Sequence, residues 1–315
     1  MYTAILQTLL YADIFDFPLS LPEIHRYLVG VPASLSDVAR ALNSRSPLAD
    51  YVETRDGFFT LAGRGHLVEL RRARTFTAQR LWPKAILYGQ HMAALPFVRM
   101  VAVTGALALD NVDDDDDIDY LIVTEPGRLW LCRGLVILLV RWAAQRGDVL
   151  CPNFFLSTAV LALPEHNLFT AHEVTQMVPI AGLDVYHTIR RLNAWTNRFL
   201  PNAHGTPRVI GNGGHPSRWQ PWLELPLRTR LGNLIEQWEM NRKIRRFAPQ
   251  AGQNPEALFS PHHCKGHFDR HGSRTLEEFQ RRWQILRKEL GSGMWALDNQ
   301  EPAAILTPLP EGGHP

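Results

Sequence analysis

Val101-Ala102-Val103-Thr104-Gly105-Ala106-Leu107-Ala108-Leu109, an acid-rich run from Asp110 to Asp116, and then Asp117-Ile118-Asp119-Tyr120-Leu121-Ile122-Val123 form the stretch on which the fold turns. A β-branched, apolar run ends at Gly105, a short helix follows, and a second β-rich run opens with two acids. Side chains alternate across a strand, so Asp117 and Asp119 point to one face while Ile118 and Tyr120 point to the other. Two carboxylates so placed repel one another, and a divalent cation shared between them removes the conflict. Magnesium, or manganese in its place, suits a site with few acids, because it keeps octahedral positions for water and substrate phosphates. Lacking a Cβ, Gly105 lets the backbone approach a phosphate, and the amides opening the next helix offer donors to the anion.

The pattern resembles the DNA polymerase beta-like nucleotidyltransferase superfamily. Its signature is an apolar residue, Gly, then Gly or Ser, a gap, and Asp-apolar-Asp-apolar. Gly105 and Asp117-Ile118-Asp119-Tyr120 carry the resemblance, specifically over residues 98 to 125 and diffusely over 85 to 165. It implies a nucleotidyltransferase-type mixed sheet of the α+β or α/β class, with Asp117 and Asp119 as catalytic residues and metal ligands. Thr104, Gly105 and Ala106 would then face the nucleotide. The implied reaction moves a nucleoside monophosphate from ATP or another nucleoside triphosphate to an acceptor, with pyrophosphate leaving. Position 106 is Ala where the family has Gly or Ser, which keeps the residue small but removes a hydroxyl. The family's third carboxylate sits on the next strand, yet Val149 to Ser157 holds no acid. Asp148 at its edge and Glu173 from the following helix are the alternatives, and Asn153 is a candidate neutral ligand in the vacant place.

Working outward toward the N-terminus, helical spacing at Ile5, Leu9 and Leu10, at Ile24 and Leu28, and at Val38, Ala41 and Leu42 predicts three short helices. Ser20 with Glu23, and Ser34 with Asp37, mark the second and third starts. Two alternating runs around Asp56-Gly57 predict a hairpin between Tyr51 and Leu61. Three helices and a hairpin resemble the winged helix-turn-helix superfamily in order and size. An arginine-rich helix from Leu67 to Ala94 follows as a rigid connection. Strands are expected at Val98 to Thr104, Ile118 to Thr124 and Val149 to Leu156, with a helix from Leu129 to Gln145. Past Pro164 the periodicity is helical, and the final proline- and glycine-rich residues predict a loose tail. The division is a winged-helix module over 1–80, a nucleotidyltransferase core over 81–165, a helical C-terminal domain over 166–292, and a flexible tail over 293–315.

Composition bounds the rest. The 315 residues are 45% hydrophobic and 20% charged, which suits a chain that buries a substantial core as two or three units. A net charge of +2 does not advertise nucleic-acid binding, although Arg71, Arg72 and Arg74 form a local basic run. Three cysteines, Cys132, Cys151 and Cys264, favour a reducing compartment, and cytoplasm is the expectation. No cleavable leader is expected, because Asp13 and Asp16 interrupt the first apolar stretch. Leu129 to Val140 falls short of the ~20 uncharged residues of a membrane span, and no membrane partner is expected.

Other chemistry-bearing residues have plainer readings. Asp113 to Asp116 read as a solvated turn, and Cys132 and Cys151 as core packing. His262, His263, Cys264, His267 and His271 offer ligand-type groups, but without a second cysteine pair they read as surface histidines or cleft contacts rather than a zinc site. Asn193, Trp195, Asn197 and Asn202 fit a packed helix end as well as a base-binding surface. Arg128 and Arg133 either neutralise a triphosphate or solvate a surface. Two functions follow: an active transferase with an unidentified acceptor (small molecule, protein or nucleic acid), or an inactive transferase-like regulator whose winged helix binds DNA or a protein. DNA is the less favoured partner, since Leu35 to Ser46 carries only Arg40 and Arg45.

Overall fold

The computed structural model describes residues 1–43, 45–210, 219–251, 258–266 and 271–290. The expectations for His267 and for the tail over 293–315 fall outside them.

The chain opens with α1 (Tyr2–Asp13), β1 (Leu19–Ser20), α2 (Leu21–Arg26), α3 (Leu35–Ala41), β2 (Val52–Arg55) and β3 (Phe58–Leu61). Both helix starts read from the sequence are capping boxes: Ser20 N–H donates to Glu23 Oε2 at 2.8 Å, and Asp37 N–H donates to Ser34 Oγ at 3.2 Å. The hairpin turns on Asp56 and Gly57, both at positive φ (52° and 82°), which matches the right-handed twist of the strands. β1 adds a third strand, giving the order β1-β3-β2. Two residues are too few for a periodic signal, so β1 is invisible in the sequence. α1 is buried on all sides from Thr3 to Ala12. A helix wrapped all round must be shared between neighbours.

α4 (Leu67–Ala93) is a single helix despite Pro83 within it. Its arginines act as fasteners. Arg71 is buried, donates to Glu23 at 2.8 Å and to Leu109 O at 3.1 Å, and lies over Phe17. Arg74 and Arg80 clamp Asp113 and Asp114 at 2.8 and 2.6 Å. The acidic turn is thus exposed but held to α4, and the arginine run is engaged within the protein.

The central sheet begins with β4 (Val98–Val103), the single helical turn α5 (Gly105–Ala108), β5 (Ile118–Thr124), α6 (Leu129–Ala144) and β6 (Leu150–Ser157). It continues with α7 (Leu168–Gln176), β7 (Val178–Ala181), α8 (Leu183–Leu192) and α9 (Thr196–Phe199). After these come α10 (Gln220–Leu227), α11 (Arg230–Ala251), β8 (Leu258–Phe259), β9 (His263–Lys265) and α12 (His271–Glu289). The order β7-β4-β5-β6-β9-β8 is mixed: β5 and β6 run parallel across α6, and the other neighbours are antiparallel. Helices cover both faces, so the class is mixed α and β. Ile118, Tyr120 and Ile122 pack toward α4 and α6, whereas Leu121 and Val123 pack toward α7 and α8. That alternation fixes which face receives Asp119.

Past Pro164 the chain is not helical throughout, for β7 and β9 insert into this sheet. Val178–Ala181 is four residues with a proline, and His263–Lys265 is three residues with polar ends, so neither shows a strand period. Their pairing is set by distant partners. The apolar face of α1 is completed by Leu168 and Ala171 of α7, Phe199 of α9, and Phe279 and Trp283 of α12, forming one core from both ends of the chain. Among the described residues no helix is long and apolar enough to cross a membrane.

Candidate functional site

Asp117 stands just before β5 and Asp119 is its second residue. Both line one cleft, and single ligand atoms of Asp117, Asp119 and Cys151 lie within 4.8 Å of one another. Gly105 faces Asp119 at close range. A Cβ built on Gly105 would lie 2.2 Å from Asp119 Oδ2, and the residue's φ is +64°. Glycine is therefore required twice, by backbone conformation and by the approach of a carboxylate. The Thr104 N–H donates to Asp119 O at 3.1 Å, joining the glycine turn to the acid-bearing strand, and Ala106 lines the cleft beside them. Because α5 is one turn long, any anion held there would meet backbone amides rather than a macrodipole.

The β5–β6 pairing places the next groups. Asp119 is opposite Cys151, but Leu121 is opposite Phe154, so β6 carries one extra residue around Pro152-Asn153. Proline has no N–H to donate to a ladder, which suits it to a bulge. The bulge turns Asn153 toward the acids, and its Nδ2 donates to Asp119 Oδ1 at 2.5 Å. The position across from Asp119 thus holds the thiol of Cys151. Burial and the two carboxylates push that thiol up, so it remains protonated and hydrogen-bonds to Asp119. The sequence predicts core packing for Cys151, but the residue is half-buried and belongs to the acid cluster.

The cleft measures about 630 Å³ and lies between the sheet, α7 and the N-terminal module. No family model, curated protein or solved structure matches this chain. The site is therefore judged on its own groups. Glu173 of α7 lines the cleft with its side chain open to solvent, and the packing around it raises its carboxyl above the ordinary range while Lys265 opposes the rise. Asp119 is pushed up to about 8 by burial first, then by the charges of Asp117 and Glu173. Three carboxylates thus crowd a space with too little positive charge. Lys265, whose Nζ is 3.5 Å from Glu165, is the one lysine or arginine lining the cleft among the described residues.

The remaining candidates separate cleanly. Asp148 is held by Lys84 Nζ at 2.5 Å and by the Tyr88 hydroxyl at 2.6 Å, away from the cleft, so it supplies no third carboxylate. Arg128 sits over Phe97 and Arg133 over Trp130, and neither lines the cleft. His263 and His271 do line it, whereas Cys264 is buried on β9 and joins no metal-type cluster among the described residues. Asn193 is fully buried, donating to Leu161 O at 2.8 Å and accepting from Leu163 N–H at 2.8 Å. Asn202 accepts from Ala33 N–H and donates to Val31 O, both at 3.0 Å. These amides are structural.

Sequence reasoning missed the contribution of the N-terminal module. Tyr11, Phe15, Phe17 and Tyr27 form the apolar wall facing the acids. His172 stacks on Tyr11 at 4.1 Å, its Nδ1 meets the Gln176 amide at 2.9 Å, and its Nε2 is buried with no partner. No local pattern marks such residues, since Tyr11 and His172 are 161 positions apart and meet only by packing.

Proposed function

We propose that this protein is a nucleotidyltransferase acting on a nucleoside triphosphate in the cleft, with Asp117 and Asp119 as metal ligands. The observation that carries the reading is the contact of Gly105 with Asp119: a side chain is absent where a carboxylate presses on the backbone of a strand-to-helix turn. The donor set fits a hard divalent cation, because the charge crowding that raises the Asp119 carboxyl beside Asp117 is relieved by one. When bound by Asp117 and Asp119, magnesium or manganese supplies charge neutralisation for the phosphates and orients them for in-line displacement.

The protein's own groups then have distinct tasks. Thr104, Gly105 and Ala106 leave room for phosphate oxygens beside the acids. Asn153 orients Asp119 through its amide. Glu173 takes the proton of the acceptor hydroxyl as its oxygen bonds to the α-phosphorus, and the bond from that phosphorus to the β-phosphate oxygen breaks to release pyrophosphate. Glu173 lines the same cleft as Asp119 and its charge is felt there, which supports it as the proton acceptor of that step. The aromatic wall from the N-terminal module closes the acceptor side. The order helix, strand, helix, helix, hairpin with sheet order β1-β3-β2 supports reading that module as a winged helix used for packing. The Arg40 guanidinium on α3 is paired with Asp37, which leaves little positive charge for DNA.

The absence of an acid on β6, with Cys151 opposite Asp119, favours a second reading: a protein that binds nucleotide without turnover and acts as a regulator. One experiment separates the two. The protein is incubated with labelled nucleoside triphosphates, magnesium and a cell extract, and labelled acceptor and pyrophosphate are sought. The transferase reading expects label transfer that Asp117→Asn and Asp119→Asn abolish, and that Glu173→Gln slows by about 10²–10⁴-fold with nucleotide binding intact. Magnesium-dependent nucleotide binding without label transfer supports the regulator. Binding unchanged in both aspartate variants defeats both readings.

A further inference from the structure

α10 and α11 are built inside out. Their three described glutamates point inward, with Glu224, Glu236 and Glu239 only 5–7% exposed. Glu236 accepts from the N–H groups of Trp130 and Leu131 at the start of α6, and Glu224 from the N–H of Phe97. Their tryptophans point outward: Trp219 before α10, Trp222 on it and Trp238 on α11 are 63–73% exposed. On α11, Leu231, Leu234, Ile235 and Trp238 fall at helical spacing on one exposed stripe, which the exposed Arg245 and Arg246 continue, while Arg242 beside Trp238 is held by Glu239 at 2.5 Å. The exposed charges of both helices are arginines. A face that joins tryptophan, leucine and arginine, with its acids turned away, has no use in water.

We infer that the outer face of α10 and α11 docks on an anionic lipid bilayer, with the tryptophans and leucines entering the headgroup–acyl boundary and the arginines meeting acidic headgroups. Tryptophan and arginine together suit that boundary, where an apolar ring and a polar edge are both satisfied. Charge decides against a second copy, since among the described residues the face offers no exposed acid to receive the partner's arginines. The aliphatic residues between the tryptophans decide against a nucleic acid, whose bases stack on rings and planar groups but not on leucine. The missing membrane span does not bear on this, because adsorption needs a face and not a crossing. The inference is independent of the chemistry in the cleft.

The test is co-sedimentation of the full chain with phosphatidylcholine vesicles and with mixed phosphatidylcholine–phosphatidylglycerol vesicles, read together with tryptophan emission. Binding to the anionic vesicles with a blue shift is expected, weakened roughly tenfold or more by Arg245→Glu with Arg246→Glu, both exposed, and by raised salt. Trp222→Ser with Trp238→Ser should abolish it. Both positions are exposed, so the fold should survive, which circular dichroism checks. Phe76→Ser, at an isolated exposed site on α4, should leave binding unchanged. No binding to either vesicle overturns the inference, as does equal binding to both. A lipid-independent dimer lost in Trp238→Ser, or binding of a mixed-sequence single-stranded oligonucleotide in place of vesicles, would assign the face to another partner.

Discussion

Asp119 concentrates unfavourable burial and charge in one carboxyl group. Its pKa in the fold is raised to about 8, from an ordinary value of 3.8, by burial and by Asp117 and Glu173. A raised folded pKa favours the folded state at acid pH, and that contribution is lost as pH rises through about 8. The metal-free protein is therefore expected to weaken across that interval, and Asp119→Asn to be spared. Calorimetry without divalent ions should find the variant melting higher than the native sequence above about pH 8, by roughly 2–4 °C per kcal/mol relieved, with the gap closing toward pH 4. A variant that melts lower at every pH would show that Asp119 is structural. Gly105→Ala is expected to do opposite damage: its Cβ meets Asp119 Oδ2 and its φ is unfavourable, so both stability and metal binding fall. Calorimetric titration with manganese reads the second loss, and full affinity in that variant would contradict the close packing.

Among elements, the seam between α1 and α7 is sensitive to acid. His172 lies buried in it against Tyr11, and burial holds its pKa down to about 3, from an ordinary 6.5. A depressed folded pKa means stability present above the unfolded value and lost as pH falls toward the folded one. The groups facing the ring are Tyr11, Tyr27 and Gln176, with Glu173 its neighbour on α7, and none is a paired anion that would keep an imidazolium. Acidification from about pH 6.5 to 4.5 should cost the native chain roughly 2 kcal/mol more than it costs His172→Gln, read from denaturant midpoints at the two values. Equal losses would mean that the ring is wetter than its packing indicates.

At the scale of the molecule, the N-terminal module and the C-terminal helices share a core, with Phe279 and Trp283 packed in the same cluster as Ile5 and Leu9. Each such aromatic, once buried, resists truncation to alanine by about 3–5 kcal/mol. A chain beginning at residue 67 would expose Leu168, Ala171 and Phe199 as well. Its expected fate is aggregation, and the full chain should show the amides of α1 exchanging no faster than those of β5. Hydrogen exchange followed by mass spectrometry checks this; independent loss of protection in residues 1–66 would mean that the module opens alone. The same sharing closes the cleft, so what separates the module from the sheet also dismantles the aromatic wall.

The amino-acid sequence alone determined what depends on neighbours in the chain. Ser20 and Glu23, Ser34 and Asp37, and Asp56-Gly57 specify their caps and turn within a few residues, and the alternation from Asp117 to Val123 sets which side chains share a face. Gly105, Asp117 and Asp119 were legible for the same reason, since their spacing is local. Tertiary structure alone decided the rest. Cys151 and Asn153 join the acids through the β5–β6 register and its bulge, Glu173 and Lys265 arrive from α7 and β9, and Tyr11 enters from the far end of the chain. The short strands β1, β7 and β9 also owe their existence to partners elsewhere in the sequence. Local energetics specify a cap or a turn, but a strand pairing or a cleft wall is stabilised only when distant segments bury surface together.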